Sequence, residues 1–442
     1  MDSGRTLMIA VDGLDEQDLA DRARSGEGTR SPLAALAAAA SPLRIRPGGP
    51  SEPTPALTTL VTGTTVARTG VVTELPFDPA RPESRSTWYA EAVVTPGLFA
   101  AARQAGLRTA ALQWPATAGG DIDLCLPLVE DLRHYRNRWD MAERTSSPRM
   151  VADHLAPRRE MGVQLSQAVP DELVSEIAVE ALAQDRIDLL AVRLSGLGIA
   201  RRAAGLDAPA AAQALRDAAE EIEAILNAFS PGPEDRVLLV PGRRLVPAAL
   251  LVHPNAVLAA EGLVRAEGTR LKDFRVMVWP DGPRGVVHVR RGQGTAVRDL
   301  ALEALTGLAA HSRLQLRPVD DGVGATAETD VVAVLEGTSG TVFGLSATHR
   351  PLVEGDDPYY AGPRAVSDPS APAVALAQGP GLPPAGVEGS WADLGVTLAA
   401  AMGLTLPGAT AAGMCPRPGA AGTGTGADGT GTGASAAVIE SI

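Results

Sequence analysis

Short apolar runs recur along the chain and alternate with longer segments of helical periodicity. Most of these runs have no polar position inside them, which is typical of strands covered on both faces of a parallel sheet. Ser31-Pro32 precedes an alanine-rich helix, and Asp171 is expected to cap the helix Glu172–Gln184. This alternation predicts an α/β fold with a mostly parallel sheet. The predicted strands are Thr6–Val11, Arg108–Gln113, Ile187–Val192, Arg236–Val240, Asp330–Leu335 and Ala373–Ala377.

Two parts of the chain depart from this alternation. Phe274–Trp279 and Val286–Val289 flank the turn sequence Pro280-Asp-Gly-Pro, which predicts a hairpin in a small inserted lobe near 264–330. Residues 422–433 contain only Gly, Thr, Ala and Asp, a composition that buries too little apolar surface to offset the entropy lost on ordering. We therefore expect one domain over residues 1–407 and a disordered tail over residues 408–442.

Composition and charge narrow the class of protein. Hydrophobic residues make up 45% of the 442 residues, and the net charge of −13 argues against general binding to nucleic acid or anionic membranes. Because the chain has no apolar run of membrane-spanning length and its start does not resemble a signal peptide, we expect a cytoplasmic location. Two cysteines exclude a disulfide framework and a cysteine zinc site. Lys272 is the only lysine, so functional cations are expected to be arginines.

Residues that could carry out chemistry lie directly after the first strand and within a threonine-rich segment. Ligands of parallel sheets bind at the carboxyl ends of the strands, where Asp12 stands. Asp12 is a candidate metal ligand or phosphate-site residue, and equally a candidate helix N-cap. The segment 53–63 leads into an apolar helix and could place a Thr nucleophile or a bound anion at the helix N-terminus. A plain threonine-rich cap is the alternative.

Several ordered segments resemble the type I phosphodiesterase/nucleotide pyrophosphatase branch of the alkaline phosphatase superfamily. These segments are Ile9–Leu14, Thr58–Gly63, Thr95–Ala110 with Gln113–Pro115, His253–Leu263, Gly379–Gly381 and Asp393–Gly403. The resemblance spans residues 6 to 407 and implies an alkaline-phosphatase-like three-layer α/β/α sandwich. It also implies a hydrolase with two zinc-like ions, held by Asp and His, and a Thr or Ser nucleophile, in which the paired metals clamp the attacking and leaving oxygens.

The residues at the family's site positions differ from that pattern. Asp12 matches the first carboxylate ligand, but Pro53 stands at the nucleophile position, with Thr54 displaced by one. The other ligand positions hold Gly198, Arg202, Gly242, Arg243 and either Arg364 or, in a looser register, His349. Glycine and arginine donate nothing to zinc, so we expect a degenerate member, a pseudoenzyme for the two-metal reaction, with no cofactor. Asp12 and His349 are the residual metal candidates.

The arginines at these positions suggest a different ligand. Arg202, Arg243, Arg244 and Arg364 are expected to converge with Asp12 and Thr54, with Thr54 and Asp12 as the candidate catalytic residues and the arginines as an anion site. Asp12 would neutralise one of them. Drift in an arginine-rich chain is the alternative. His134 and Arg136 lie in a polar segment that resembles a family insertion near the substrate entrance.

Three functions remain open from the sequence. The first is binding of a small molecule that bears phosphate or carboxylate, with or without a repurposed metal-independent reaction. The second is an active phosphodiesterase or phosphatase with an altered zinc or manganese site built from Asp12, Asp356, Asp357 and His349. The third is a non-catalytic structural or interaction subunit. The sequence leaves the substrate and the oligomeric state open.

Overall fold

A computed structural model describes residues 4–24, 31–47, 52–77, 79, 87–131, 134–165, 169–268, 270–319 and 324–414. Within these residues the helices alternate with strands along most of the chain. The helices are α1 (Glu16–Arg24), α2 (Pro32–Ala39), α3 (Pro53–Thr62), α4 (Val66–Thr69), α5 (Leu98–Gln104), α6 (Arg138–Thr145), α7 (Pro148–Met150), α8 (Ala156–Glu160), α9 (Asp171–Gln184), α10 (Gly196–Ala204), α11 (Pro209–Phe229), α12 (Pro254–Ala260), α13 (Thr295–Ser312) and α14 (Trp391–Ala401). A 3-10 turn lies at Ala90–Ala92, and a π-helical turn at Val151–Leu155 joins α7 to α8.

The central sheet has eight strands among the described residues. They are β1 (Thr6–Val11), β2 (Ser41–Ile45), β3 (Thr109–Leu112), β4 (Leu124–Leu126), β5 (Leu189–Leu194), β6 (Arg236–Pro241), β18 (Ala373–Gln378) and β19 (Glu388–Gly389). Their order is β19-β2-β18-β6-β1-β5-β3-β4. The five neighbouring pairs that do not involve β18 are all parallel. In contrast, β18 runs antiparallel to both β2 and β6. The sheet is therefore mixed, with a parallel core.

Helices cover both faces of this sheet. Alternate residues of β1 point to opposite faces: Leu7 and Ile9 pack in the core under α9 and α11, and Met8 and Ala10 pack in the core under α3 and α14. All six residues of β1 are buried. This explains the continuous apolar runs that mark the strands in the sequence, and the α/β class with helices on both faces is confirmed.

The lobe forms a second core. Its strands are β7 (Leu245–Pro247), β8 (Leu250–Val252), β9 (Val264–Glu267), β10 (Arg270–Phe274), β11 (Val276–Asp281), β12 (Arg284–Arg290), β13 (Gln315–Pro318), β14 (Thr329–Glu336), β15 (Thr341–Phe343), β16 (Leu352–Glu354) and β17 (Ala365–Ser367). A sheet of order β11-β12-β14-β13 packs with α12 and α13. The predicted hairpin is present: β11 and β12 pair antiparallel, with Val276 opposite Val289 and Asp281 opposite Arg284, and Gly282 in the turn has a φ of 58°. Such a positive φ favours glycine.

The structure corrects two expectations about individual elements. The predicted strand Asp330–Leu335 exists, but it lies in the antiparallel lobe sheet and not in the central sheet. Asp171 does not cap its own helix: α9 has Pro170 as its N-cap, and the Asp171 carboxylate accepts hydrogen bonds from the backbone N–H groups of Ser195 and Gly196, where α10 begins.

The predicted tail overlaps the folded domain. Thr410 donates a backbone hydrogen bond to the Gly63 carbonyl, and the backbone N–H of Met414 donates to Thr397 Oγ1. Residues 408–414 therefore pack on α3 and α14, and the rest of the predicted tail lies outside the described residues. In the part of the chain that the structure describes, none of the helices is both long and apolar enough to cross a membrane.

Candidate functional site

A narrow cleft lies at the carboxyl ends of β1 and β6, beside the first turn of α3. Asp12, Pro53, Arg202 and Arg243 all line it, so residues from four separate segments of the chain meet there. We call it the arginine cleft. Its cavity volume is about 20 Å³, which is room for about one water molecule and far too little for a nucleotide.

Asp12 is held by a buried arginine that comes from the neighbouring strand. Arg193 lies opposite Ala10 in the β1–β5 register, and its guanidinium donates to both Asp12 oxygens, Nε to Oδ1 at 3.3 Å and Nη2 to Oδ2 at 2.7 Å. The two side chains are 6% and 7% exposed, so the ion pair is desolvated. Burial alone lowers the pKa of Arg193, but the charges of Asp12 and Glu74 outweigh it and the pKa is raised. Both carboxylate oxygens of Asp12 thus accept hydrogen bonds from the Arg193 guanidinium.

Two glycines allow α10 to approach Asp12 closely. A Cβ on Gly198 would lie 2.8 Å from the Asp12 Cβ and 3.0 Å from Arg202 Nη1. A Cβ on Gly13 would lie 2.7 Å from the Gly198 Cα, and Gly13 has a φ of 79°. The Arg202 guanidinium and Asp12 therefore flank Gly198, where no side chain separates them.

Arg202 is the arginine of the cleft whose guanidinium has no hydrogen-bond partner among the described residues. It is half-buried, and its guanidinium makes no hydrogen bond or ion pair with any residue that the structure describes. Its backbone carbonyl accepts a hydrogen bond from the Arg364 N–H at 2.6 Å, which fixes the end of α10. The neighbouring Arg201 is different, because its guanidinium donates to both Asp18 oxygens and to the Gly13 carbonyl.

The other three predicted arginines occupy unlike positions. Arg243 is buried in the cleft wall and donates to the backbone carbonyls of Ala371 at 2.9 Å and Arg46 at 3.4 Å. Burial and the charge of Arg284 lower its pKa. Arg244 is exposed, and so is Arg364, which lies 5.3 Å from the ring centre of Tyr360. Arg202 and Arg243 thus share the cleft, whereas Arg244 and Arg364 do not line it.

Thr54 is buried in the first turn of α3, next to the cleft. Its backbone N–H donates to Glu74 Oε2 at 2.9 Å and its hydroxyl donates to Glu74 Oε1 at 2.8 Å. Glu74 therefore caps α3 from outside the helix, which is favourable at the positive end of the helix dipole. The Thr54 hydroxyl is committed to this carboxylate, which is a proton acceptor at hydrogen-bond distance.

Glu52, the N-cap residue of α3, reaches from the central domain to the lobe. A Cβ on Gly282, in the β11–β12 turn, would lie 2.2 Å from Glu52 Oε1, so the carboxyl packs directly on this glycine. The pKa of Glu52 is raised from 4.5 to about 7, chiefly by burial; the charges of Glu74 and Asp281 act in the same direction, and those of Arg202 and Arg284 oppose it. The lobe thus closes over a carboxyl that titrates near neutral pH.

The remaining candidates lie outside the cleft. His134 Nδ1 is 2.6 Å from Asp131 Oδ1, and Arg136, largely exposed, pairs with Asp140 at the start of α6. His349 is exposed, and its ring centre lies 5.3 Å from that of His253. Asp357 pairs with Arg350, and Asp356 is part of the same turn. None of these residues lines the arginine cleft.

The residues present do not fit a pair of metal ions. Among the described residues, no group of three or more His, Cys, Asp or Glu side chains lies together as metal ligands would. Both oxygens of Asp12 already accept hydrogen bonds from Arg193, and a guanidinium repels a divalent cation. We therefore derive no chemistry through a metal.

Four residues at or beside the cleft were not predicted from the sequence: Arg193, Glu52, Glu74 and Arg284. Arg193 had a signal, because it is the one charge in the apolar strand Leu189–Leu194. Glu52 and Glu74 had no such signal in the sequence, since their proximity in space depends on the path of the loops around α3. Arg284 reaches the site only through the packing of the lobe, as its effect on the pKa of Glu52 shows.

Known proteins share this fold. The family model described as type I phosphodiesterase / nucleotide pyrophosphatase matches residues 6–240. No curated protein matches the chain. A murine ectonucleotide pyrophosphatase / phosphodiesterase 5, inactive and in complex with AMP, is 15% identical with a TM-score of 0.58, over 91% of this chain and 96% of its own. The same murine protein in a second structure gives 15% identity, a TM-score of 0.57 and the same coverage. The human protein gives 13%, a TM-score of 0.55, and coverage of 91% and 95%. Such identities show the fold alone.

Proposed function

The chain belongs to the type I phosphodiesterase/nucleotide pyrophosphatase family, and from that premise we propose that it binds an anionic small molecule through Arg202 and does not hydrolyse phosphoesters by a two-metal route. The observation that carries the proposal is the Arg193–Asp12 ion pair, which puts a fixed cation on the carboxylate that matches the family's first metal ligand. A buried guanidinium supplies positive charge without any metal.

The second support is the balance of charge at the cleft. Arg193 is paired with Asp12, and Arg243 donates to backbone carbonyls, whereas the Arg202 guanidinium is free of hydrogen bonds to the described residues. A half-buried guanidinium that lines a cleft is suited to a phosphate or carboxylate, which it bonds through parallel N–H groups. Because the cleft itself has room for about one water molecule, the anionic group would meet Arg202 at the mouth of the cleft, with the rest of the ligand outside.

The murine relative in complex with AMP suggests a nucleoside monophosphate as one ligand of this class. In this proposal the phosphate would meet Arg202 and the nucleoside would lie outside the arginine cleft. Thr54 and Glu74 are the groups available for a metal-independent reaction, because the Glu74 carboxylate already accepts a hydrogen bond from the Thr54 hydroxyl. Asp12 serves as the partner of Arg193.

The alternative of an altered metal site has less support. It would draw on Asp12, Asp356, Asp357 and His349, but Asp357 pairs with Arg350 and His349 lies against His253 in the lobe. A purely structural subunit is the remaining alternative, and it predicts that the cleft binds no ligand.

The test compares sulfate binding by the wild-type protein with that by Arg202→Ala. We expect the variant to bind sulfate at least about tenfold more weakly, because a charge-assisted hydrogen bond is lost. Arg216→Ala, at an exposed site on α11, is the matched control and should bind as the wild type does. Equal affinities in all three proteins would leave the structural subunit as the better account, and hydrolysis of a phosphodiester that requires added zinc or manganese would support the altered metal site.

A further inference from the structure

Glu52 is a carboxyl group without a hydrogen-bond partner among the described residues, and it interacts with the charge of the Arg202 guanidinium. Its carboxyl packs against Gly282 of the β11–β12 turn and makes no hydrogen bond to any residue that the structure describes. The side chain is half-buried at the start of α3, where Pro53 already lines the arginine cleft. It is thus placed between the central domain, the cleft and the lobe.

The charged groups that face Glu52 come from three elements. Arg202 comes from α10, Glu74 from the loop after α4, and Asp281 and Arg284 from the β11–β12 hairpin. Two of the four are already paired with each other, because Arg284 Nη2 bonds Asp281 Oδ2. Glu74 is bonded to Thr54. Arg202 and Arg284 both favour an ionised Glu52; the effect of Arg202 is the larger, and Arg202 is the one of the two without an ion pair to a described residue.

We propose that anion binding at Arg202 is coupled to protonation of Glu52, so that the cleft takes up a proton together with its ligand. The inference rests on the proposed function, since it assigns a regulation to the same site. An anion on Arg202 screens the attraction that keeps Glu52 ionised and adds a third negative charge beside Glu74 and Asp281. Like charges at such a desolvated position disfavour the ionised carboxyl.

The direction of the pH dependence follows from linkage. In the free protein Glu52 titrates with a pKa of about 7, and a neighbouring anion raises this value. Protons then bind more tightly to the complex than to the free protein, so affinity for the anion increases as the pH falls. The increase begins at the higher pKa of the complex and levels off below the pKa of the free protein. A ligand whose own charge is constant over this range is required to see the effect.

Sulfate is such a probe, because it stays a dianion throughout. We expect wild-type protein to bind sulfate about tenfold more tightly near pH 6 than near pH 9. Glu52→Gln mimics the protonated carboxyl and should bind sulfate with the affinity of the low-pH form at every pH. Glu261→Gln, at an exposed position after α12, is the matched control and should keep the wild-type pH dependence.

A second measurement needs no variant. Isothermal titration of the wild-type protein with sulfate, in two buffers of different ionisation enthalpy near pH 7.5, should report net uptake of a fraction of a proton per anion. Uptake indistinguishable from zero, or a wild-type affinity that stays level with pH, would overturn the coupling while leaving the anion site in place. Failure of both the wild type and Glu52→Gln to bind sulfate at any pH would overturn the proposed function and the coupling together.

Discussion

A single charged side chain in a buried strand, Arg193, pairs with the carboxylate of Asp12 at the cleft. Arg193 stands among five apolar residues of β5, and it is stable there because Asp12 meets it across the sheet. Removing a charge from such a pair leaves the other charge buried without a partner, which costs far more than the pair itself contributes. The sequence could identify Asp12 as a site residue, and it predicted an arginine partner, but the partner came from a strand and not from the predicted arginine positions.

Replacement of Arg193 tests this pairing. Arg193→Met should lower the free energy of unfolding by about 3–5 kcal/mol, since Asp12 loses its counter-charge, whereas Arg216→Met on the exposed face of α11 should change it by less than about 0.5 kcal/mol. The double variant Asp12→Leu/Arg193→Met should recover most of the loss, because two apolar side chains replace the pair. Urea denaturation measures all three, and a small effect of Arg193→Met alone would show that Asp12 has another partner.

A buried histidine gives the lobe a defined acid sensitivity. His288 is 3% exposed, its Nδ1 lies 3.1 Å from Thr329 Oγ1, and its ring meets Phe77 edge-on. Burial lowers the pKa of His288 from 6.5 to about 4. Its stabilising contribution is therefore complete above about pH 6.5 and is lost as the pH falls through the pKa of the folded state, a total of about 3 kcal/mol.

Acid unfolding checks this contribution. We expect the stability of the wild-type protein to fall between about pH 6.5 and pH 4, and His288→Leu to have a shallower slope over this range. His311→Gln, at an exposed end of α13, serves as the control. The same slope in wild type and His288→Leu would assign the acid sensitivity to other groups.

At the scale of elements, the start of α10 explains how the cleft is built. Asp171 on α9 accepts the N–H groups of Ser195 and Gly196, so one carboxylate joins the starts of two helices. Gly198 then lets α10 lie against Asp12. The sequence predicted five of the eight described strands of the central sheet, because a buried strand needs a continuous apolar run, and it did not predict β2, β4 or β19. It did not predict this cap, since Asp171 is near Ser195 only after β5 and α9 have packed together.

Two helical glycines should respond in opposite directions to the same substitution. Gly198→Ala inserts a methyl group 2.8 Å from the Asp12 Cβ and should destabilise the protein by about 1–3 kcal/mol. Gly307→Ala on α13 meets nothing within 4 Å and should stabilise it by about 0.5–1 kcal/mol, because alanine restricts the unfolded chain. Thermal and urea denaturation of both variants gives the sign. Tolerance of Gly198→Ala would show that α10 is free to move away from Asp12.

At the scale of the molecule, the lobe and the central domain share the site. The order of strands and the family segments were sufficient to predict the α/β sandwich. Neither could show that the β11–β12 hairpin, far along the chain, would close on Glu52 at the start of α3, because that contact depends on tertiary packing between two cores. The cytoplasmic location inferred from the sequence stays a prediction, as do the catalytic roles of Thr54 and Asp12.

The central claim is that the cleft holds an anion at Arg202 in place of metal ions at Asp12. Crystals grown with both selenate and zinc, and measured at the absorption edges of selenium and zinc, test it most directly. We predict a selenium peak within hydrogen-bond reach of the Arg202 guanidinium and no zinc peak within bonding distance of Asp12, where Arg193 donates to both oxygens. Zinc bound to Asp12 with Arg193 displaced, and no selenium at Arg202, would contradict the account.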